Sequence, residues 1–205
     1  MEFILEFEDF KGRESRTRTK SLTEEEFLQT LNENCKNFSF DNDLLWRGTN
    51  SLFGNLGIWF ESERKGTIGD YSYKKFFDDR RDYPVPRYKS LIGSTKKAGA
   101  SYLASDTSMV IPFDNSQIIF AGSPDLALWS KTGQKFSDDM FIMKEYTKEF
   151  KVPEDELTDI LNKTTLSDKF SKFQGMDLGF EFFTTSTCLL IRDSKVDWLK
   201  SNIIK

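Results

Sequence analysis

Arg47 and Glu181 are the residues best placed to do chemistry, because each is an ionisable group embedded in apolar sequence. Arg47 follows the apolar stretch 44–46 and precedes Gly48, which lets the backbone pass close to whatever the guanidinium holds. A charge at the end of a buried strand needs a partner, usually a carboxylate or a bound phosphate. The Arg-Gly pair by itself favours the simpler alternative, an internal arginine–carboxylate pair beside a turn glycine.

Glu181 lies in the apolar stretch 178–183 and, with a period of two, shares a face with Gly179, which leaves room on one side. A carboxylate on an apolar strand is costly unless it is paired or takes part in chemistry. A salt bridge to Arg192 or Arg47 is the structural alternative. On spacing alone, that alternative is slightly favoured.

The composition excludes several classes of site. The 205 residues contain no histidine, which removes histidine-based triads, imidazole general bases and most zinc sites. Cys35 and Cys188 have no paired spacing, so neither a disulfide framework nor a metal cluster is indicated. The net charge of −4 gives no general attraction to nucleic acid or anionic membranes. With no leader and no apolar run long enough to cross a membrane, the sequence predicts a cytoplasmic protein.

Residues 64–90 form the longest stretch without a clear period and mix basic residues with aromatic rings. Proteins that bind single-stranded nucleic acid use this combination, but aspartates offset half of the charge, so an ordinary helix and loop is an equal alternative. Pro84 and Pro86 fix an extended segment just before Arg87. Because long loops that direct an arginine into a cleft are often functional, we interpret this stretch as a binding loop.

The order of strands and helices predicts a single α+β domain over residues 1–205, with 44–46 and 178–183 in central strands. Thr23 and Glu26 form a capping-box pattern that starts the first helix. Asp114-Asn115 is predicted to join two strands as a hairpin. Strands are predicted at 3–7, 44–46, 58–60, 109–111, 117–120, 178–183 and 185–191, and helices at 94–104, from Ser137, from Pro153 and at 196–203.

With Arg47, Arg87 and Glu181 in place, the chain resembles the small mono-ADP-ribosyltransferase-like proteins of bacteriophages and bacteria. In that family an Arg-Gly follows an early strand, as Trp46-Arg47-Gly48 does here. A loop of the form Arg-x-Pro-Arg then leads to a Ser or Thr, and Arg81 to Ser90 resembles a stretched version. A late strand carries a glutamate, as Gly179-Phe180-Glu181-Phe182 would.

The resemblance implies antiparallel sheets around a cleft, with NAD as a substrate and no metal. It implies two catalytic residues: Glu181 would be the fixed anion that faces the ribose, and Arg47 would clamp the pyrophosphate. The residues that it implies for NAD binding are Arg47, Gly48, Thr49, Arg87 and Ser90.

The sequence departs from the family in two places. The Ser-Thr-Ser-type strand that supports the ribose has only Ser94-Thr95 as a counterpart, on a predicted helix. Members that modify arginine carry Glu or Gln two residues before the catalytic glutamate, where this chain has Gly179. These departures argue against arginine as the modified group.

The implied partner is a host macromolecule, protein or nucleic acid, modified by a monomeric, toxin-like or phage-type effector in the host cytoplasm. The rival interpretation is a non-enzymatic binding protein that docks on a host protein or single-stranded nucleic acid through residues 64–90. In that case Arg47 and Glu181 would form a buried structural pair.

Overall fold

The structure, a computed structural model, describes residues 4–7, 15–49, 53–64, 85, 89–121, 141–145, 179 and 181–203. These residues form an α+β fold built on one ten-stranded antiparallel sheet. The strands are β1 (Ile4–Phe7), β2 (Ser15–Ser21), β3 (Leu45–Thr49), β4 (Leu56–Arg64), β5 (Leu91–Ser94), β6 (Asp106–Pro112), β7 (Gln117–Ala121), β8 (Phe141–Glu145), β9 (Glu181–Thr184) and β10 (Cys188–Arg192). The helices are α1 (Glu24–Asn34), α2 (Lys97–Leu103) and α3 (Val196–Ile203), the last preceded by a 3₁₀ turn.

The sheet curves strongly between β4 and β5, and we call the boundary between β3 and β5 the seam. The strand order is β1-β2-β4-β10-β6-β3-β5-β9-β7-β8, and the pairing across the seam consists of Trp46 with Ser94. Cα atoms of β4 and β5 approach within 8 Å, although three strands lie between them in the sheet. A flat sheet would hold these two strands about 19 Å apart. The sheet therefore folds back on itself over the span from β4 to β5, which includes the seam.

The seam divides the sheet into a first half, from β1 to β3 in the strand order, and a second half, from β5 to β8. The concave side of the sheet, which we call the inner face, carries one hydrophobic core to which both halves contribute. Trp59 and Leu190 come from the first half, and Leu91 and Phe182 come from the second. All four side chains are buried. Burial of this apolar surface favours the bent arrangement over a flat sheet.

The outer face of the first half carries the second core, beneath α1 and α3. Phe27 and Leu31 from α1 and Leu199 from α3 pack there against strand residues such as Met109 and Leu189. Neighbours along a strand therefore alternate between the two cores, as a pleated sheet requires. The face on which a strand side chain near the seam lies can therefore be assigned from its position in the register.

The capping box at the start of α1 is confirmed. The Thr23 hydroxyl accepts from the Glu26 backbone N–H at 3.2 Å, and the Glu26 carboxylate accepts from the Thr23 N–H at 2.8 Å. These bonds hold the pKa of Glu26 below its ordinary value, with the backbone N–H of Thr23 as the largest cause. The closing helix Val196–Ile203 and the interior positions of β3 and β9 in one sheet also agree with the sequence prediction.

The predicted hairpin at Asp114-Asn115 is wrong. The chain does turn there, and Asn115 has a φ of 64°, but β6 pairs with β3 and β10, whereas β7 pairs with β8 and β9. The Asp114 carboxylate accepts from the backbone N–H groups of Lys36 and Asn37, at 2.9 and 3.0 Å, just after α1. The turn is thus anchored to a helix end, and its two strands enter different halves of the sheet.

Several predicted elements lie outside the described residues. They are the helices from Ser137 and from Pro153, residue 3 of the first strand, residues 178 and 180 of the strand before Glu181, and most of the stretch 64–90.

We expect Asp114→Ala to lower the free energy of unfolding by about 1–3 kcal/mol, because it removes the acceptor of two backbone N–H groups. Asp114→Asn keeps one acceptor oxygen and should lose less. Urea denaturation measures both changes, with the exposed Asp43→Ala as the matched control. Equal stability of Asp114→Ala and the control would show that the anchor contributes nothing.

Candidate functional site

The strongest candidate site is a row of three side chains across the seam: Trp46 on β3, Ser94 on β5 and Glu181 on β9. Ser94 is the register partner of both Trp46 and Glu181. Directly opposite residues of an antiparallel pair project to the same face, so all three side chains share the outer face. The structure therefore joins the early Trp-Arg-Gly stretch to the late glutamate through one intervening strand.

Ser94 was expected at the start of a helix over 94–104, and the structure corrects this. Ser94 ends β5 and helix α2 begins at Lys97, with the Ser94 hydroxyl accepting from the Lys96 backbone N–H at 3.2 Å. Ala98, Gly99 and Ala100 permit a helix, but the apolar pair Leu91-Ile92 extends the sheet up to Ser94. That pair was the signal that places this serine on a strand.

Glu181 is buried, with 3% of its surface exposed, and Ser94 beside it is 2% exposed. The chain approaches Glu181 through Gly179, whose φ of +72° is the left-handed conformation that favours glycine. A Cβ at Gly179 would lie 2.7 Å from the Thr95 hydroxyl and 2.8 Å from the Lys96 backbone nitrogen. Gly179 therefore packs directly on the turn between β5 and α2.

Arg47 lies beside the row but on the other face. It pairs in register with Ser108 and follows Trp46, so alternation directs it to the inner face. Its Nη1 donates to the carbonyl of Ile92 on β5 at 3.4 Å. On that face the Phe182 ring packs over Gly93, where a Cβ would meet ring carbons at 2.5 and 2.7 Å. The structure thus brings Arg47 to the seam without bringing its guanidinium and the Glu181 carboxylate onto one face.

Gly48 and Thr49, both predicted to bind a cofactor, have identifiable packing roles. A Cβ at Gly48 would lie 2.7 Å from the Ala100 carbonyl and 2.8 Å from Ala104 Cβ, so the close approach at this glycine is that of α2. The buried Thr49 hydroxyl lies 3.3 Å from the Ser108 hydroxyl, a neighbour on β6 that no sequence pattern had indicated.

Ser90 is buried and immediately precedes β5, the strand that carries Ser94. Arg87 is the second residue of the stretch 64–90 that was predicted to bind NAD, and it lies outside the described residues.

Arg192 is not available to pair with Glu181, because its guanidinium is held elsewhere. Nη1 lies 3.2 Å from the Asp106 carboxylate, while Nη2 donates to the Phe53 carbonyl at 3.1 Å and Nε to the Gly54 carbonyl at 3.2 Å. Arg192 therefore anchors the chain just before β4. One of the two proposed structural partners of Glu181 is removed by this arrangement.

Lys97 covers the Trp46 end of the row. Its ammonium lies 5.8 Å from the centre of the Trp46 ring and 2.6 Å from the Asp193 carboxylate, which links α2 to the turn before α3. Both partners of this ion pair are partly exposed, so the pair contributes at most about 1 kcal/mol. The half-buried indole thus has a weakly held cation on one side.

The two cysteines are unsuited to nucleophilic catalysis. Burial raises the pKa of Cys188 well above its ordinary value, an effect that the Arg47 charge only partly offsets. Burial, followed by the negative charge of Asp114, likewise raises the pKa of Cys35. Neutral buried thiols do not act as nucleophiles at neutral pH. Cys35 is instead part of the core on the outer face of the sheet.

Within the described ranges, no cluster of three or more acidic or cysteine side chains is arranged to hold a metal ion. None of the helices in that part of the chain is long and apolar enough to cross a membrane. Comparison with protein-family models, curated proteins and solved structures finds no match to this chain. The site must therefore be interpreted from its own geometry.

We expect Gly179→Ala to lower the free energy of unfolding by about 2 kcal/mol or more, because the left-handed backbone and the contacts with Thr95 and Lys96 both oppose a Cβ. Gly54→Ala is the matched control, since its nearest neighbour would lie 3.7 Å away. Thermal or urea denaturation measures the difference. Equal stability of the two variants would contradict the packing described before Glu181.

We expect stability to fall as the pH rises above roughly 8.5, the ordinary thiol pKa. The folded state retains the thiol protons that the unfolded state releases, so each buried thiol contributes a loss of about 1.4 kcal/mol per pH unit until its folded pKa is reached. Urea denaturation at several pH values should show a flatter alkaline slope for the Cys35→Ala/Cys188→Ala variant. An unchanged slope would contradict the raised pKa values.

Proposed function

We propose that this chain is an NAD-dependent mono-ADP-ribosyltransferase-like protein that transfers ADP-ribose to a macromolecular target. The observation that carries the proposal is the Trp46–Ser94–Glu181 row. Three stretches far apart in sequence come together on the adjacent strands β3, β5 and β9. They are the aromatic-Arg-Gly stretch, the serine that is the counterpart of the family's Ser-Thr-Ser strand, and a late glutamate. Their meeting supports the family resemblance, although the Arg47 side chain itself lies on the other face.

The proposed reaction needs a fixed anion more than it needs a base. Cleavage of the bond between nicotinamide and ribose builds positive charge on the sugar, and a preorganised carboxylate in a water-poor site stabilises that charge strongly. Glu181 supplies the carboxylate in this proposal. The electron pair of the broken bond leaves with nicotinamide, which becomes neutral. A nucleophile of the target then forms the new bond to the ribose and releases its proton to solvent. A chain without histidine can support this chemistry.

Ser94 and Trp46 complete the proposed centre on the same face. The Ser94 hydroxyl lies next to Glu181 in register and would hold the carboxylate or a ribose hydroxyl in place. The Trp46 ring, which is partly exposed, offers a surface on which nicotinamide or adenine would stack. Lys97 over that ring would favour the side of the ligand that carries the phosphates.

Arg47 would serve the pyrophosphate from the seam. Its guanidinium already reaches across to β5, and bidentate contacts to phosphate oxygens are the interactions that arginine makes best. Because Arg47 leaves the sheet on the inner face, a bound dinucleotide would have to extend from the row around the seam. The same side chain would otherwise only tie β3 to the Ile92 carbonyl.

The proposed target is a group other than arginine. In the family that the chain resembles, arginine-modifying members carry Glu or Gln at the position of Gly179. The left-handed backbone and the packing of Gly179 against Thr95 and Lys96 leave no space for such a side chain. The second carboxylate or amide that arginine modification uses is therefore absent from this position. We accordingly propose a host protein or nucleic acid whose acceptor group is not an arginine side chain.

The expected result for Glu181→Gln is a loss of nicotinamide release from NAD of roughly 100-fold or more, because a neutral amide cannot stabilise the developing charge. Release is measured by chromatography with purified wild type and variant. Glu61→Gln, an exposed carboxylate on β4 paired with Arg18, is the matched control and should keep full activity. Melting of each variant separates lost chemistry from lost folding.

Two results would contradict the enzymatic proposal. One is the absence of nicotinamide release by wild type in the presence of candidate targets. The other is a Glu181→Gln variant that keeps its activity.

A stability measurement on Glu181→Gln tests the structural alternative. A decrease of about 3–5 kcal/mol in its free energy of unfolding would show that the carboxylate is half of a buried structural pair. In that case the non-enzymatic binding protein, docking through residues 64–90, becomes the better account.

A further inference from the structure

We infer that the inner face of the first half holds a buried water molecule that bridges Thr19 on β2 and Trp59 on β4. Thr19 is 2% exposed and Trp59 is fully buried. The Thr19 hydroxyl and the Trp59 indole N–H have no hydrogen-bond partner in the part of the chain that the structure describes. A single buried polar group without a partner is costly, and two side by side indicate a shared partner.

The pairing register places the two groups together. Thr19 is the direct partner of Trp59 in the ladder between β2 and β4, so both side chains project to the same face. The Cβ atoms of such partners lie about 4.5–5.5 Å apart, within the span that one water molecule bridges. Cys188, the partner of Trp59 on β10, directs its thiol to the Ser186 carbonyl at 3.2 Å and does not satisfy the indole.

The strand pairing is irregular at this position. The register between β2 and β4 shifts between Arg18 and Thr19: Arg18 pairs with Glu61, whereas Thr19 pairs with Trp59. Phe60 is therefore an extra residue on β4, and a β-bulge of this kind locally disrupts the ladder and increases its twist. The bulge lies directly beside the residues that carry the two polar groups.

A water molecule fits this site better than any larger ligand. The indole N–H can only donate, so its partner must be an acceptor, while the hydroxyl both donates and accepts. A water oxygen accepts from the indole, and the same water exchanges a second hydrogen bond with the hydroxyl. The near-complete burial of both residues closes the site to anything much larger.

A double-mutant cycle tests the bridge. We expect Thr19→Val to lower the ratio of folded to unfolded protein roughly 5- to 30-fold, because the water loses one anchor and the indole keeps a poorer partner. In the Trp59→Phe background, which has already lost the indole N–H, the same change should have a clearly smaller effect. Thr19→Ser, which keeps the hydroxyl, should retain the dependence on Trp59.

Overturning results are equally specific. If both groups were simply unsatisfied, Thr19→Val would leave stability unchanged or raise it, because it removes a buried hydroxyl without a partner. Additive effects of Thr19→Val and Trp59→Phe would also exclude a shared water. If a substitution prevents folding, a high-resolution crystal structure of the unmodified chain decides the question. A solvent peak at about 2.7–3.2 Å from both atoms supports the bridge, and its absence overturns it.

Discussion

The pairing of Trp46 with Ser94 is the contact on which the candidate site depends. It joins the two halves of the sheet at the seam, and both halves then enclose the inner core. The separate ladder between β5 and β9 aligns Ser94 with Glu181, so two backbone registers that meet at Ser94 set the composition of the row. A slip of one residue in the ladder between β5 and β9 would move Glu181 to the inner face, where a carboxylate in the apolar core would be very costly.

Glycines allow the close packing around that contact, and two of them lie close to residues of the row. Gly93 admits the Phe182 ring and the Trp46 carbonyl on the inner side of the seam, while Gly48 admits α2 on the outer side. From the sequence alone, Gly48 is interpreted as space for whatever Arg47 binds. The structure assigns the space to a helix, because a glycine needed for packing and a glycine needed for binding have the same pattern in one sequence.

Local signals in the sequence predicted the elements well and the tertiary arrangement less well. The capping box at Thr23 and the closing helix are encoded within a few residues, so both were found. The hairpin prediction at Asp114 was wrong because β6 and β7 pair with strands far along the chain instead of with each other. Ser94 was misassigned because a short strand is stabilised by its neighbours in the sheet rather than by its own propensity.

The candidate site was predictable in part. An embedded glutamate and an embedded arginine were visible from their apolar surroundings, and both lie on interior strands next to the same strand, β5. Their faces depend on the register at the seam, which no local pattern encodes, and alternation separates them. Ser108 and Lys97, which lie near Arg47 and Trp46, came from distant parts of the chain and carried no sequence signal.

The most direct test of the central claim, that the row at the seam is an NAD site, is thermal denaturation of the wild-type chain during titration with NAD. A ligand that binds only the folded state stabilises it by about 2.7 kcal/mol at 100 times its dissociation constant. For a chain of this size, that corresponds to a rise in melting temperature of roughly 5–10 °C. We predict a rise that saturates with NAD concentration, and a melting temperature that NAD leaves unchanged would contradict the account.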